Sequence, residues 1–201
     1  MTDASLTQAS AETHPIRLVN NDDLERNRLT VFFRLILAIP HFIFLTLWLF
    51  LLYLVAWIFW LIALFTGRLP DGIHAFVGKF TRYSTRVYAY MSLLADPFPP
   101  FSGAEGGYPI DLQIDPPQQQ NRLGIFFRIL LAIPAFLLAY VLRLLMNMLA
   151  FVGWFYALFT GRMSRGIEDL GAFALRYEAQ TFAYAFLLTS RYPSLGGGPS
   201  A

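Results

Sequence analysis

The sequence predicts an all-α integral membrane protein with short β-strand additions, formed by tandem duplication, each unit a long hydrophobic helical segment or hairpin plus an amphipathic helix. Three observations carry this. Of 201 residues, 56% are hydrophobic and only 14% charged, a balance foreign to soluble domains. Two apolar runs, Leu35 to Phe65 and Ile129 to Phe159, each exceed the roughly 20 residues that cross a bilayer. The chain also repeats itself at one constant offset from end to end.

The repeat is specific. Asn27-Arg28-Leu29 and Phe32-Phe33-Arg34 recur as Asn121-Arg122-Leu123 and Phe126-Phe127-Arg128, and Ala38-Ile39-Pro40 as Ala132-Ile133-Pro134. Trp60 matches Trp154, Ala63 to Arg68 match Ala157 to Arg162, and Arg82-Tyr83 match Arg176-Tyr177. These matches divide the chain into a polar tail (1–14), a first membrane repeat (15–99), a linker (100–108), a second repeat (109–193) and a flexible tail (194–201). Met1 to His14 hold no Lys, no Arg and no apolar core, so they are expected to be a disordered tail and not a signal peptide.

Each unit opens on alternating residues, Ile16-Arg17-Leu18 and Ile110-Asp111-Leu112-Gln113-Ile114, the period of half-exposed strands that can pair with each other. Asn27 and Asn121 suit helix N-caps, and Gly67 and Gly161 stand where left-handed C-caps would close the runs. A further helix follows, Asp71 to Ala95 and Gly166 to Thr189. Between the units, Pro97, Pro99, Pro100 and Gly106-Gly107 exclude helix and central strand.

A helix of one whole run would measure about 46 Å against about 30 Å of hydrocarbon. Either it tilts as a single span, or it folds into a hairpin entering and leaving on one side. Arg143 and Asn147 near the middle of the second run favour a hairpin that turns there, as do basic residues on both flanks of both runs. No Gly or Pro marks such a turn between Pro40 and Phe65, so both arrangements stay open.

The helix after the first run spaces Phe76, Phe80, Tyr83, Val87 and Tyr90 along one face, with Lys79, Arg82 and Arg86 elsewhere. It could lie in the headgroup plane and offer its cations to lipid phosphates, or pack that face on its own hairpin. With the Phe-Thr-Gly-Arg turns this gives candidate lipid or headgroup contacts at Arg68, Lys79, Arg82, Arg86, Arg162 and Arg176. The intramembrane polar candidates are His41, Arg143 and Asn147. His41 is expected to be a buried, hydrogen-bonded neutral side chain, since its repeat partner is Ala135. Arg143 and Asn147 are expected to satisfy a turn or an interhelical contact.

The sequence points to no catalytic residues, no cofactor and no metal site. No nucleotide-cradling glycine pattern, nucleophile elbow or His-Glu-x-x-His occurs. The absence of cysteine excludes disulfides, thiolate metal sites and cysteine nucleophiles. A net charge of +2 is too mild for nucleic acid.

The Asn-Arg start, Ala-Ile-Pro-His-Phe at Ala38 to Phe42, the Phe-Thr-Gly-Arg turn, Arg82-Tyr83 with Arg86, and Leu-Leu-Ala-Asp-Pro-Phe-Pro-Pro-Phe from Leu93 to Phe101 together resemble the bacterial membrane-protein domain of unknown function number 4389. The resemblance covers nearly the whole chain as two tandem copies. The second copy departs from it at Ala135, Gln180 and Ser190-Arg191-Tyr192. It implies a bacterial inner membrane and supplies no activity to carry over.

The expected function is therefore that of a non-enzymatic membrane scaffold or lipid-interacting protein, multi-pass in the cell membrane, with tails and linker cytoplasmic. A small transporter or channel subunit with pseudo-two-fold repeats is the alternative. Expected partners are membrane lipids and a second copy or another membrane protein.

Overall fold

Asn27 and Asn121 each accept a hydrogen bond from the amide two residues on, at Leu29 and Leu123, satisfying one of the orphan donors of a first turn. In the computed structural model, which describes residues 14–196, these caps start the two longest helical stretches. The elements are β1 (Ile16–Asn20), α1 (Arg28–Thr66), α2 (Asp71–Met91), β2 (Ile110–Ile114), α3 (Arg122–Phe126), α4 (Arg128–Thr160) and α5 (Arg165–Ala185). Gly67 and Gly161 close α1 and α4 at φ 78° and 72°, the left-handed conformation that glycine adopts without a Cβ penalty.

Of the two arrangements left open for each apolar run, the hairpin does not form. α1 is one helix of 39 residues, about 58 Å long, and continues through Pro40; α4 runs unbroken for 33 residues through Arg143 and Asn147. Beyond Pro40 no Gly or Pro interrupts the first run, and the charge of Arg143 is met from a neighbouring helix instead. Both helices are long and apolar enough to cross a membrane by length and composition. The second unit breaks only at Phe127, between α3 and α4. There Gly124 replaces Thr30, whose hydroxyl bonds the Asn27 carbonyl and the Asp96 carboxylate in the first unit.

α2 and α5 end four residues before the periodicity suggests. Leu93 and Leu187 take φ of 62° and 64°, and the amides of Leu94 and Leu188 bond back to Ala89 and Ala183. The turn presents backbone carbonyls to an arginine of a long helix: Arg34 donates to Tyr90 and Ala95, and Arg128 to Thr189.

The expected strand pairing is present. β1 and β2 run antiparallel with Ile16 opposite Ile114, Leu18 opposite Leu112 and Asn20 opposite Ile110. β1 packs on α5 and β2 on α2, so each helix is covered by the strand at the start of the other unit. The result is layered. α2 and α5 pack on each other in the middle, with Phe80 and Phe182 rings 5.3 Å apart; α1 and α4 cover one side, the ladder covers the other, and residues 97–107 run between them, from Phe98 and Phe101 against α1 to carbonyls beside Arg82 and Arg86. Of the expected tails, 1–13 and 197–201 lie outside the described residues. His14 is buried, and the Ser194 amide donates to Gln180, so the ordered body reaches further than the repeat boundaries.

α1 and α4 are antiparallel, and α1 is bound at both ends, to α4 at one and to α3 at the other. The Trp154 indole donates to the Val31 carbonyl at 2.9 Å and the Trp60 indole to Ile125 at 2.9 Å. Between these ends each helix buries a single stripe. In α1 it is Val31, Arg34, Ala38, His41, Leu45, Leu52 and Ala63; in α4 it is Arg128, Ala132, Ala135, Ala139, Met146, Gly153 and Ala157. The remaining faces expose large apolar side chains along the whole length, among them Leu35, Leu47, Leu54, Leu130, Leu137 and Phe151.

Residues 97–107 approach α2 so closely that a Cβ on Gly103 would lie 2.2 Å from the Lys79 carbonyl oxygen. Gly103→Ala is therefore expected to destabilise the purified protein by about 1–3 kcal/mol in thermal unfolding. Gly72→Ala, in the first turn of α2 with nothing near its Cβ, should instead stabilise by about 0.5 kcal/mol. Equal midpoints for the two variants would show that residues 97–107 do not pack as described.

Candidate functional site

The basic side chains separate into two sets. Arg82, Arg86 and Arg176, expected to meet lipid headgroups, are instead buried within the protein. Arg82 donates to the Leu112 and Gly103 carbonyls, both at 2.9 Å. Arg86, 1% exposed, holds Asp111 at 2.8 Å and the carbonyls of Ser102, Ala104 and Gly106. Arg176, the counterpart of Arg82, lies 5.5 Å from the Phe173 ring centroid. The reason is that their helices are the middle layer. The aromatic face of α2 packs on α1, with Trp48 against Phe76, Phe80 and Tyr83, and the opposite face is covered by strand and linker carbonyls that need donors.

Arg68, Lys79 and Arg162 are exposed. The first and last of these mark the ends of the apolar helix pair. Beyond Thr66, Arg68 neighbours the start of α3, where Gln120 bonds the Gly67 carbonyl and Arg122 is exposed. Arg162 sits at the other end, where Arg28 Nε lies 3.5 Å from the Cβ position of Gly161. Each end of the pair thus carries at least two surface guanidiniums, with apolar surface between.

Of the intramembrane polar candidates, His41 is fully buried, its Nδ1 2.6 Å from the Tyr83 hydroxyl and its ring 4.3 Å from that of Phe101. Its burial and hydrogen bond are those expected of it, and its ring contacts fasten the 97–107 segment to α1. Arg143 is not at a turn. It forms an ion pair with Glu178 of α5 and lies 4.0 Å over the Tyr88 ring of α2, so it joins three helices. Asn147, one helical turn on, is exposed and has no hydrogen bond among the described residues.

Because α1 is bound to α4 at one end and to α3 at the other, two clefts lie between the long helices, related by the repeat. One, of about 310 Å³, is walled by Tyr53, Trp57, Trp60, Phe136, Phe186 and other apolar groups. The other, of about 620 Å³, has Asn147 where the first has Tyr53, Phe151 for Trp57 and Ser92 for Phe186, and adds Arg143, Tyr88 and Arg34. Sequence reasoning missed this asymmetry, although a signal was present: Arg143 and Glu178 replace Leu49 and Ser84 of the first copy together.

A separate polar depression of about 740 Å³ lies at the Arg162 end, lined by Asp22, Asp23, Glu25, Arg26 and Asp96. Arg26 and Asp22 form an ion pair at 2.6 Å there. Burial raises the Asp22 carboxyl above its ordinary range despite Arg26, and raises Glu168 nearby despite a hydrogen bond from Asn20. Among the described residues no group of three or more His, Cys, Asp and Glu side chains could hold a metal ion.

The Arg143–Glu178 pair is about three-quarters buried, between the regime where ion pairs are worth about 0–1 kcal/mol and the one where removing one partner costs about 3–5 kcal/mol. Arg143→Leu is expected to lower stability by about 2 kcal/mol, and adding Glu178→Ser, which restores the first copy's residues, should recover most of it. Additive losses in this double-mutant cycle would contradict the pairing.

The family model described as Domain of unknown function (DUF4389) matches residues 28–103 and again residues 122–195. No curated protein matches the chain, and no solved structure does. The two matches span both long helices and the helix after each, and the chain belongs to the DUF4389 family, as two tandem copies of its domain.

Proposed function

We propose that the protein is a non-enzymatic scaffold or lipid-interacting protein of a cell membrane, held there by α1 and α4 lying along one leaflet with α2, α5 and the strand ladder on a single side. One observation carries this reading. The buried stripes of α1 and α4 run nearly end to end against the middle layer, and their other faces are apolar and exposed. An upright α1 would be about twice the thickness of the hydrocarbon. It would also draw the strand ladder into lipid, with the Arg17–Asp115 pair, about one-third exposed, at 2.9 Å. Lying in the plane, the same helix buries its apolar faces, and Arg28, Arg68, Arg122 and Arg162 at the ends reach phosphates of one leaflet. Lys79 is the further exposed candidate for a headgroup contact.

The scaffold reading is favoured over a transporter because His41 and Arg143 both have partners inside the protein, at Tyr83 and Glu178, and join its layers. All soluble parts then share one compartment, which we take to be the cytoplasm.

The absence of cysteine makes the test direct. Arg28→Cys, Arg68→Cys and Ser102→Cys, each introduced singly, should all react with a membrane-impermeant maleimide applied from the same side of vesicles containing the protein. Opposite accessibility of Arg28→Cys and Arg68→Cys would establish a transmembrane span and end the in-plane arrangement.

A further inference from the structure

Deepening the bilayer reading and resting on it, we propose that the cleft between the first half of α1 and the second half of α4 holds a bilayer phospholipid. Its acyl chain lies along the apolar walls, and its phosphate or ester oxygens accept hydrogen bonds from Arg143 and Asn147.

The molecule contains its own control. Two clefts with the same backbone origin differ in size and chemistry. The apolar one is narrowed to about 310 Å³ by Tyr53 and Phe186, whereas their counterparts Asn147 and Ser92 leave about 620 Å³ in the other. That volume lies within the roughly 300–1,000 Å³ of small-molecule sites. The walls are apolar, from Leu35, Phe42, Met146 and Phe151, and two polar side chains, Arg143 and Asn147, stand one helical turn apart on α4, while Arg34 is taken up by carbonyls and Asp96. An amphiphile has this distribution; a free phosphate or a plain hydrocarbon does not.

The polar groups also fit the polar end of such a ligand. A guanidinium has five N–H donors, more than the single carboxylate of Glu178 takes up, so Arg143 can bind the protein and the ligand together. Stacking on Tyr88 fixes its plane. Glu178 balances the charge, which suits a zwitterionic head better than a strongly anionic one. Asn147 has no hydrogen bond among the described residues, and an amide facing an apolar cleft is costly until an acceptor reaches it. In the sister cleft these places hold Leu49, Tyr53 and Ser84, so the fold itself does not require the polar set.

The experiment uses the full-length protein in dioleoylphosphatidylcholine vesicles containing a phosphatidylcholine with a diazirine midway along one chain, and in parallel a diazirine-labelled hexadecane without a head. After illumination the adducts are mapped by peptide mass spectrometry, and vesicle flotation is measured on the same samples. The photoactive phospholipid should label Ala150 and Phe151 well above their counterparts Ala56 and Trp57, and by a clearly larger ratio than the headless probe, whose preference reports cleft volume alone. Asn147→Leu, which leaves the ion pair intact, should reduce the selective labelling about fivefold, the worth of about one hydrogen bond. Arg143→Leu/Asn147→Tyr/Glu178→Ser, which gives this cleft the first copy's residues, should abolish the selectivity. A phospholipid ratio no larger than that of the headless probe, or selectivity unchanged in Asn147→Leu, in protein that floats would overturn the cleft assignment and leave the bilayer reading standing. Protein that does not float would remove the bilayer reading and the phospholipid with it.

Discussion

Two buried arginines hold the layers together. Arg34 and Arg128 start from the long apolar helices and reach carbonyls in the last turn of α2 and just beyond the ends of α2 and α5, each guanidinium also lying about 4 Å over a tyrosine ring, Tyr90 and Tyr184. The last turns of a helix leave carbonyls without partners, and a cation placed there satisfies them and the helix dipole together. The rest follows from meeting this need inside the protein. The chain must turn at Leu93 and Leu187 to bring the carbonyls round, α1 and α4 must lie flat on the middle layer for the arginines to arrive, and their opposite faces are left outside.

Duplication shows which of these interactions the architecture requires. Both copies keep the N-cap asparagine, the tryptophan that donates to the facing helix, the left-handed glycine and the arginine-to-carbonyl contact. Other contacts have diverged. Arg86 gathers Asp111 and three linker carbonyls, whereas its counterpart Gln180 donates to Ile16 and accepts from Ser194. The first copy has a longer segment to organise after its helix, residues 97–107, and the added charge organises it. His41 follows the same logic: its ring meets Phe98 and Phe101 of that segment, and the second copy keeps Ala135 in its place.

Local chemistry and the β1–β2 pairing were legible in the sequence, and the long-range partners of charged side chains were not. The caps, the alternation of each strand and the boundaries of the apolar runs follow from residues close in sequence, and the structure has them where the pattern indicates. A helical wheel, however, cannot say whether Lys79 or Arg82 faces solvent. That depends on the Leu112 carbonyl, thirty residues on and in another element. Arg143 misled for the same reason: alone in an apolar run it argues for a turn, but Glu178 on another helix removes the need for one. The hint available without a structure was that both members of this pair change between the copies together.

The outward faces of α1 and α4 have diverged in a manner of their own. Ile43, Leu47, Phe50, Leu54, Trp57 and Leu61 correspond across the repeat to Leu137, Val141, Leu144, Met148, Phe151 and Phe155, all exposed in both copies. Apolarity is kept at each place while shape is not. A rigid protein partner would constrain shape, because packed interfaces demand complementarity, whereas a fluid apolar medium asks only that polar groups stay away. Among the large apolar side chains exposed on α1, Tyr53 is the one whose counterpart is a polar residue, Asn147. That exchange falls in the wider cleft, beside the ion pair that ties α4 to α5, so the departure from uniform apolarity is confined to the place where the two clefts already differ.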